Sequence, residues 1–327
     1  MKKLLSLTTL FIILFTGCSS KQYFEPEDTF NLQQNVIKLD SSIISLNSNG
    51  ATLENENFIS SSGIVDNKTK KSYFLNFVND TTISTDNNAK VYLQNNDTTK
   101  SFSFSKNIIS ASKHNNLLAF GSIDNSITLF DMDTKKILFK EYLKPSSINN
   151  TKIANPIFLN TVVLYPTLDG KIVIVDLKQK VVAKTINIDP NNDVNNIIFL
   201  KEVQNILIAA TSNKLFTFVN GKVNLKDIDI QSIIVNKNNI YVATLDGEIA
   251  KYDFLLNKTA FKKFKFAKIN ALAFGTYLYA LESQNFLIRI DENFKTAKVF
   301  DFSFDNEEKV IGIDNKIYTN DTYIVLD

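Results

Sequence analysis

The chain has 327 residues, 44% hydrophobic and 21% charged, which is the composition of a globular protein with a sizeable core rather than of a disordered one. A single cysteine, Cys18, and a single histidine, His114, exclude an internal disulfide and the zinc sites built from clusters of these residues. Lys and Arg number 36 against 34 for Asp and Glu, and Lys2 and Lys3 account for the excess, so the rest of the chain is neutral and gives no reason to expect nucleic acid.

In chain order, MKK is a short basic start, Leu4 to Phe15 is a predominantly apolar run, and Thr16 and Gly17 are small residues before Cys18. This is the three-part pattern of a secretory signal peptide. A helix over the run reaches about 18 Å, short of the ~30 Å hydrocarbon core, so a stable transmembrane helix is not expected. Small residues directly before a cysteine resemble the lipobox of bacterial lipoproteins, with Phe15 standing where that family usually has Leu. The resemblance implies that the Cys18 sulfur is acylated and the peptide cut just before it, making residues 1–17 a signal peptide. Ser19 after the cysteine is similar to lipoproteins sent to the outer membrane, which implies a lipid-anchored protein on its periplasmic side. The alternatives are a plain cleaved signal with an incidental Cys18, or a buried core thiol. The following stretch, KQYFEPEDTFNLQQN, has neither helical nor strand periodicity and carries Pro26 among acids, so residues 18–34 are expected to be a lipid-anchored tether.

From residue 35 to 327 the chain reads as one repeat. YPTLDGKIVIVDL at 165 to 177 and VATLDGEIAKYDF at 242 to 254 share a form: a β-rich run ends in Thr-Leu, Asp-Gly follows, and a second alternating run ends in Asp. Asp-Gly supplies the positive φ of a two-residue hairpin turn, so each segment is expected to be an antiparallel hairpin. Looser copies place the first apolar residue after each turn at Phe58, Val91, Ile127, Ile172, Leu215, Ile249, Leu287 and Tyr323, at steps of 33 to 45 residues. Two further strand-like runs lie between hairpins, such as Ile137 to Tyr142 and Ile153 to Leu159. Four strands at this period predict an all-β fold, a β-propeller of antiparallel blades, eight or alternatively seven in number. The last repeat stops after its third strand, and NVIKLD, Asn35 to Asp40, is the expected fourth, closing the ring.

The turn after the third strand carries a second recurrence: Asp131-Met-Asp-Thr134-Lys135 with Phe139 beyond it, and less completely Asp176-Leu-Lys-Gln-Lys and Asp253-Phe-Leu-Leu-Asn. An Asp and Thr so placed can bond the turn's amides, while the aromatic wedges between blades. The pattern is similar to the Asp-x-x-Thr-Gly-x-x-x-Trp signature of propellers in the pyrroloquinoline-quinone class, with Lys135 for Gly and Phe139 for Trp. Quinone-dependent enzymes of that class run to about twice this length and stack their cofactor on Trp, of which there is none. A lipid anchor with a propeller of this size looks more like the propeller lipoproteins of the outer-membrane barrel-assembly machinery. That resemblance implies a scaffold rather than an enzyme, needing no cofactor, binding protein partners and held to the membrane through lipid on Cys18. A scaffold for another envelope machine, in secretion or motility, is the alternative, and a quinoprotein- or lactonase-like enzyme a third reading.

Other constellations are weaker. Asp189, Asn191 and Asp193 begin like a calcium loop, but Val194 stands where Gly is needed and Leu200 where a bidentate Glu is needed, so a polar inter-blade loop is expected and no metal site. His114, in SKHNNLLAF, reads as a surface-loop histidine before a strand, and the asparagine runs read as a bias of composition. AFKKFKFAK places Lys262, Lys263, Lys265 and Lys268 beside three Phe residues. It is either an outer strand with Phe inward and Lys outward, or a basic patch for an acidic partner or lipid headgroups.

Overall fold

The computed structural model describes residues 22–32, 35–96, 98–192, 194–304 and 309–327. All regular structure among them is β-strand, gathered into eight sheets. Apart from one N-terminal strand added at the outer edge of each of two sheets, the strands follow chain order, so the fold is a β-propeller of eight four-stranded antiparallel blades, as the hairpin period implies. The innermost strands are Ile43–Leu46, Tyr73–Val78, Ile108–His114, Ile157–Phe158, Phe199–Val203, Ile230–Asn236, Ile269–Phe274 and Ile311–Ile313. The outermost are Gly63–Val65, Thr99–Ser103, Lys136–Tyr142, Val182–Asn187, Lys222–Asp227, Lys258–Lys263, Ala297–Asp301 and, in blade 8, Val36–Lys38. Successive strands are antiparallel, so the inter-blade connections and the turns between second and third strands share one face of the disc.

The core is a ring of apolar layers between blades. Blades 3 and 4 pack through Ile127, Leu129, Val163, Tyr165, Val173 and Val175, with Phe139 wedged against the same layer. Equivalent layers join blades 2 to 3, 4 to 5, 5 to 6, 6 to 7, 7 to 8 and 8 to 1. Between blades 1 and 2 the rings of Phe58 and Phe74 lie 5.7 Å apart. A blade has two apolar faces and can bury them only against neighbours, which is why alternating Leu, Ile, Val and Phe recur along the whole chain. Of the eight residues placed after a turn by the repeat, seven are buried; at the eighth, Tyr323 is half-buried and Ile324 takes the core position.

The hairpin turns differ from the two-residue form expected of Asp-Gly. Leu168, Asp169 and Gly170 form a three-residue loop, in which Thr167 N donates to Lys171 O (3.0 Å) and Lys171 N to Thr167 Oγ1 (2.9 Å). In the second copy Glu248 N donates to Thr244 Oγ1 (3.1 Å). The threonine hydroxyl satisfies the extra amide, so only the glycine turns left-handed, with φ of 72° at Gly170 and 82° at Gly247. The turns after the third strand behave as the recurrence predicts: Asp131 accepts from the amides of Asp133 (2.9 Å) and Thr134 (3.0 Å), Asp176 repeats the arrangement, and Asp253 accepts from the amides of Leu255 and Asn257 in a turn one residue longer.

Val36–Lys38 closes the ring. It pairs antiparallel with Thr322–Val325, matching Val36 to Ile324 and Lys38 to Thr322, and Leu39 N donates to Asp321 O (2.7 Å). The last blade thus takes three strands from one end of the chain and one from the other.

Candidate functional site

Three surfaces can engage other molecules: a polar central channel, the outer blade edges and the rim where the N-terminal segment meets the ring. The channel is lined by the inner strands and comprises two adjoining cavities of about 450 and 560 Å³ that share Ser48, Phe199, Lys201 and Asp314. Its walls are held by asparagine side chains that bridge neighbouring inner strands. Asn47 Nδ2 donates to Phe74 O (2.6 Å), Asn76 Nδ2 to Ala111 O (2.9 Å) and Asn155 Nδ2 to Leu75 O (2.9 Å), while Asn155 Oδ1 accepts from Ala111 N (2.9 Å). Inner strands of different blades converge without sharing a ladder, so their backbone groups need such side-chain partners. Lys152 is half-buried in this wall, its Nζ 3.4 Å from Gln231 O, and the loss of hydration lowers its pKa. Amides, hydroxyls and lysines in a channel of this width can hold a polar or anionic group.

His114 is not in a loop: it ends the inner strand Ile108–His114 and its ring stacks on Phe158 at 5.7 Å at the channel mouth. Asp189 is buried and accepts from Asn195 Nδ2 (2.7 Å), which also donates to Thr211 Oγ1 (3.0 Å), so this carboxylate supports an inter-blade loop; Asp193 lies outside the described residues. Asn195 and Asn196 are fully buried. Reading the asparagine runs as bias therefore missed both the channel clamps and this loop. Nothing in the local sequence separates such an Asn from one in solvent, because the signal is a contact with another blade.

The four lysines fall on and beside the outer strand of blade 6. Lys262 and Lys263 end that strand, Lys265 is at the tip of the turn into blade 7, and Lys268 precedes the inner strand of blade 7. The expected alternation, Phe inward and Lys outward, holds at Lys263 and Phe264, where the ring packs on the layer between blades 6 and 7, but not at Phe261 and Lys262. Phe261 is 56% exposed, whereas Lys262 runs inward and donates to Lys295 O (3.2 Å). The outermost strand has a neighbour on one edge only, and a lysine stem can cover apolar surface while its head finds a carbonyl. Lys263 pairs with Asp246, whose carboxyl is held down at about 2 by the hydrogen bond from Lys263, with help from Thr244.

Cys18 and the segment before residue 22 lie outside the described residues. Part of the stretch read as tether is packed on the ring: Phe24 is buried, edge-on to Phe264 (6.0 Å) and Phe286 (5.7 Å). Phe30–Asn31 adds to the outer strand of blade 7 in parallel, opposite Phe300 and Asp301. The outer strands of blades 3, 4 and 5 end their sheets with no added strand among the described residues, and display Ile137, Tyr142, Val182, Val223 and Leu225 to solvent.

No protein-family model matches the chain. Over 230 residues it is 34% identical to the plasminogen-binding protein PgbB of Helicobacter pylori strain J99 and 33% to that of strain 26695, the match covering 66% of this chain and 42% of each relative. The chain thus spans about two-fifths of the length of the curated relatives it matches. Among solved structures it is similar to BamB from Moraxella catarrhalis, at 12% identity and a TM-score of 0.63 over 93% of this chain and 99% of that one. The computationally designed Ika8 protein is similar at 13% identity and 0.64, over 90% and 100%, and the C-terminal WD40 domain of Sif2 at 12% and 0.64, over 92% and 99%. At such identities the likeness establishes the propeller fold.

Proposed function

We propose that this chain is a non-catalytic scaffold, anchored through lipid on Cys18 to the periplasmic side of the outer membrane, which holds extended segments of other proteins along open blade edges. The observation that carries this reading is the strand added to blade 7. There an outer edge already pairs with an extended segment, and the corresponding edges of blades 3 to 5 are open and flanked by exposed apolar side chains. Assembly of outer-membrane β-barrels supplies fitting clients, because barrel strands alternate apolar and polar side chains and seek backbone partners before they close. The resemblance to BamB in fold supports this role, and the name of the Helicobacter relatives supports a second one, in which plasminogen is the partner.

Affinity purification from membranes, with mass spectrometry of the partners, separates these readings when run beside a Val223→Lys/Leu225→Lys variant. Both residues are exposed in blade 5, so the fold tolerates the change while the edge is blocked. The expected result is recovery of barrel-assembly proteins and barrel precursors with the parent chain and their loss with the variant. Binding of purified plasminogen, lost in the same variant, favours the second role. The same comparison is made with Ile137→Lys/Tyr142→Lys in blade 3 and Val182→Lys in blade 4, and partner sets identical to the parent's in all three variants sink the open edges as the binding surface.

A further inference from the structure

The N-terminal segment docks beside the four lysines, on the face that carries the inter-blade connections. Phe24 meets Phe264, and Phe264 opens a β-turn closed by Ala267 N donating to Phe264 O (3.0 Å). The tip of that turn is Lys265 and Phe266. Phe266 has φ of 65°, a left-handed conformation that is costly for a bulky side chain, and is 38% exposed, with Lys265 Nζ 4.8 Å from its ring centre. The neighbouring turn of blade 6 lies directly against it: a Cβ on Gly247 would sit 2.3 Å from Phe264 O, and the same turn exposes Leu245 by 62%. Among the described residues neither Lys265 nor Lys268 has an acidic partner, while Lys262 and Lys263 are engaged.

Phe24 is the sixth residue after Cys18, at most about 20 Å of extended chain. Downstream of Phe24 the segment is fixed again, by Thr29 Oγ1 donating to Asp301 Oδ2 (2.9 Å) and by the pairing of Phe30 and Asn31. A lipid on Cys18 therefore keeps this rim within about that distance of a bilayer. Resting on the reading that Cys18 is lipidated, we infer that the rim formed by Leu245 and the turn Phe264–Ala267 is a bilayer contact: Phe266 and Leu245 enter the headgroup interface, Lys265 and Lys268 meet lipid phosphates, and docked Phe24 sets the tilt of the propeller. An aromatic and a leucine beside lysines suit that interface. Glu25, Glu27 and Asp28 are exposed on the same segment and keep the rim from being strongly basic, so the contact depends on the anchor and does not form from solution.

The chain has no tryptophan, so Phe266→Trp introduces a single indole that can be excited selectively over the 11 tyrosines. The full-length lipidated variant is reconstituted into phosphatidylethanolamine and phosphatidylglycerol vesicles whose acyl chains are brominated at known depths, beside Leu245→Trp and, across the ring, Ile137→Trp. The expected result is a blue shift and loss of emission for the first two and neither for the third. Unquenched Trp at both 266 and 245 in protein that floats with the vesicles overturns the inference while the anchor stands. Protein that fails to float removes the anchor and the inference with it. Adding Phe24→Ala to Phe266→Trp is expected to leave flotation intact and abolish quenching, and quenching that persists overturns the role of the docked segment.

Discussion

Asp169 has a side chain fully withdrawn from solvent, in the turn between the second and third strands of blade 4. Burial pushes its carboxyl up, but hydrogen bonds from Lys171, Thr167 (2.7 Å) and Asn125 (3.1 Å), with the Lys171 charge, outweigh this and leave it below the usual carboxylate range. The folded state therefore gives up this proton at lower pH than the unfolded chain does. The stabilisation is present above about pH 4 and is lost as pH falls through the folded value. Asp169→Asn is expected to cost about 3 kcal/mol at pH 7, the low end for breaking a buried pair, because Lys171 is still 27% exposed and rehydrates. Urea unfolding at pH 7 and at about pH 2, well below the unfolded carboxylate value, checks both parts: the variant is less stable, and its stability falls less on acidification. Parallel pH dependence in the two proteins would assign the acid sensitivity to another group.

At the scale of elements, Gly247 and Gly221 separate two costs that sequence alone merges. Both are left-handed, at φ of 82° and 79°, but a Cβ at 221 meets nothing within 4 Å while one at 247 runs into Phe264 O at 2.3 Å. Gly221→Ala is expected to cost about 1 to 2 kcal/mol from its backbone conformation, and Gly247→Ala a further ~1 to 3 kcal/mol from crowding the turn above it. Equal losses in chemical denaturation would mean that the close approach carries no weight. The position of each Asp-Gly turn was legible in the sequence, as were the hairpins, because alternation and turn residues are local and repeat, whereas its three-residue form, set by the threonine hydroxyl, was not. The contact that makes Gly247 costly was not, since it lies between loops of successive strands. The same holds for Phe24, one aromatic among acids whose burial needs Phe264 and Phe286, and for the clamp formed by Asn155, whose partners are 44 and 80 residues away. The number of blades stayed open between seven and eight because the terminal ones have strands as short as Gly63–Val65 and Ile311–Ile313, barely longer than a loop.

For the whole molecule, the seam between the two chain ends differs from the other blade junctions in kind. Seven blades hold four consecutive strands, whereas blade 8 is completed by three residues, Val36–Lys38, paired to Thr322–Val325. Losing that pairing uncovers the layer of Leu39, Ile43, Ile59 and Tyr318 between blades 8 and 1, so the ring is expected to open there first. A cross-link is the direct test. Ile37 and Tyr323 are directly opposed in an antiparallel pair, a spacing near that of a disulfide, and the loop they would close is almost the entire propeller. Ile37→Cys/Tyr323→Cys in a Cys18→Ser background, which removes the sole native thiol, is expected to gain about 2 to 5 kcal/mol on oxidation, reduced by any strain in the bond. Hydrogen exchange supplies the mechanism that denaturation alone lacks. In the reduced protein the amides of Ile317 and Ile324 exchange faster than those of Val242 and Ile249 in blade 6, and oxidation removes the difference. If the two blades already exchange alike when reduced, the seam is no weaker than any other junction, and the three-residue strand closes the ring as firmly as a continuous blade does.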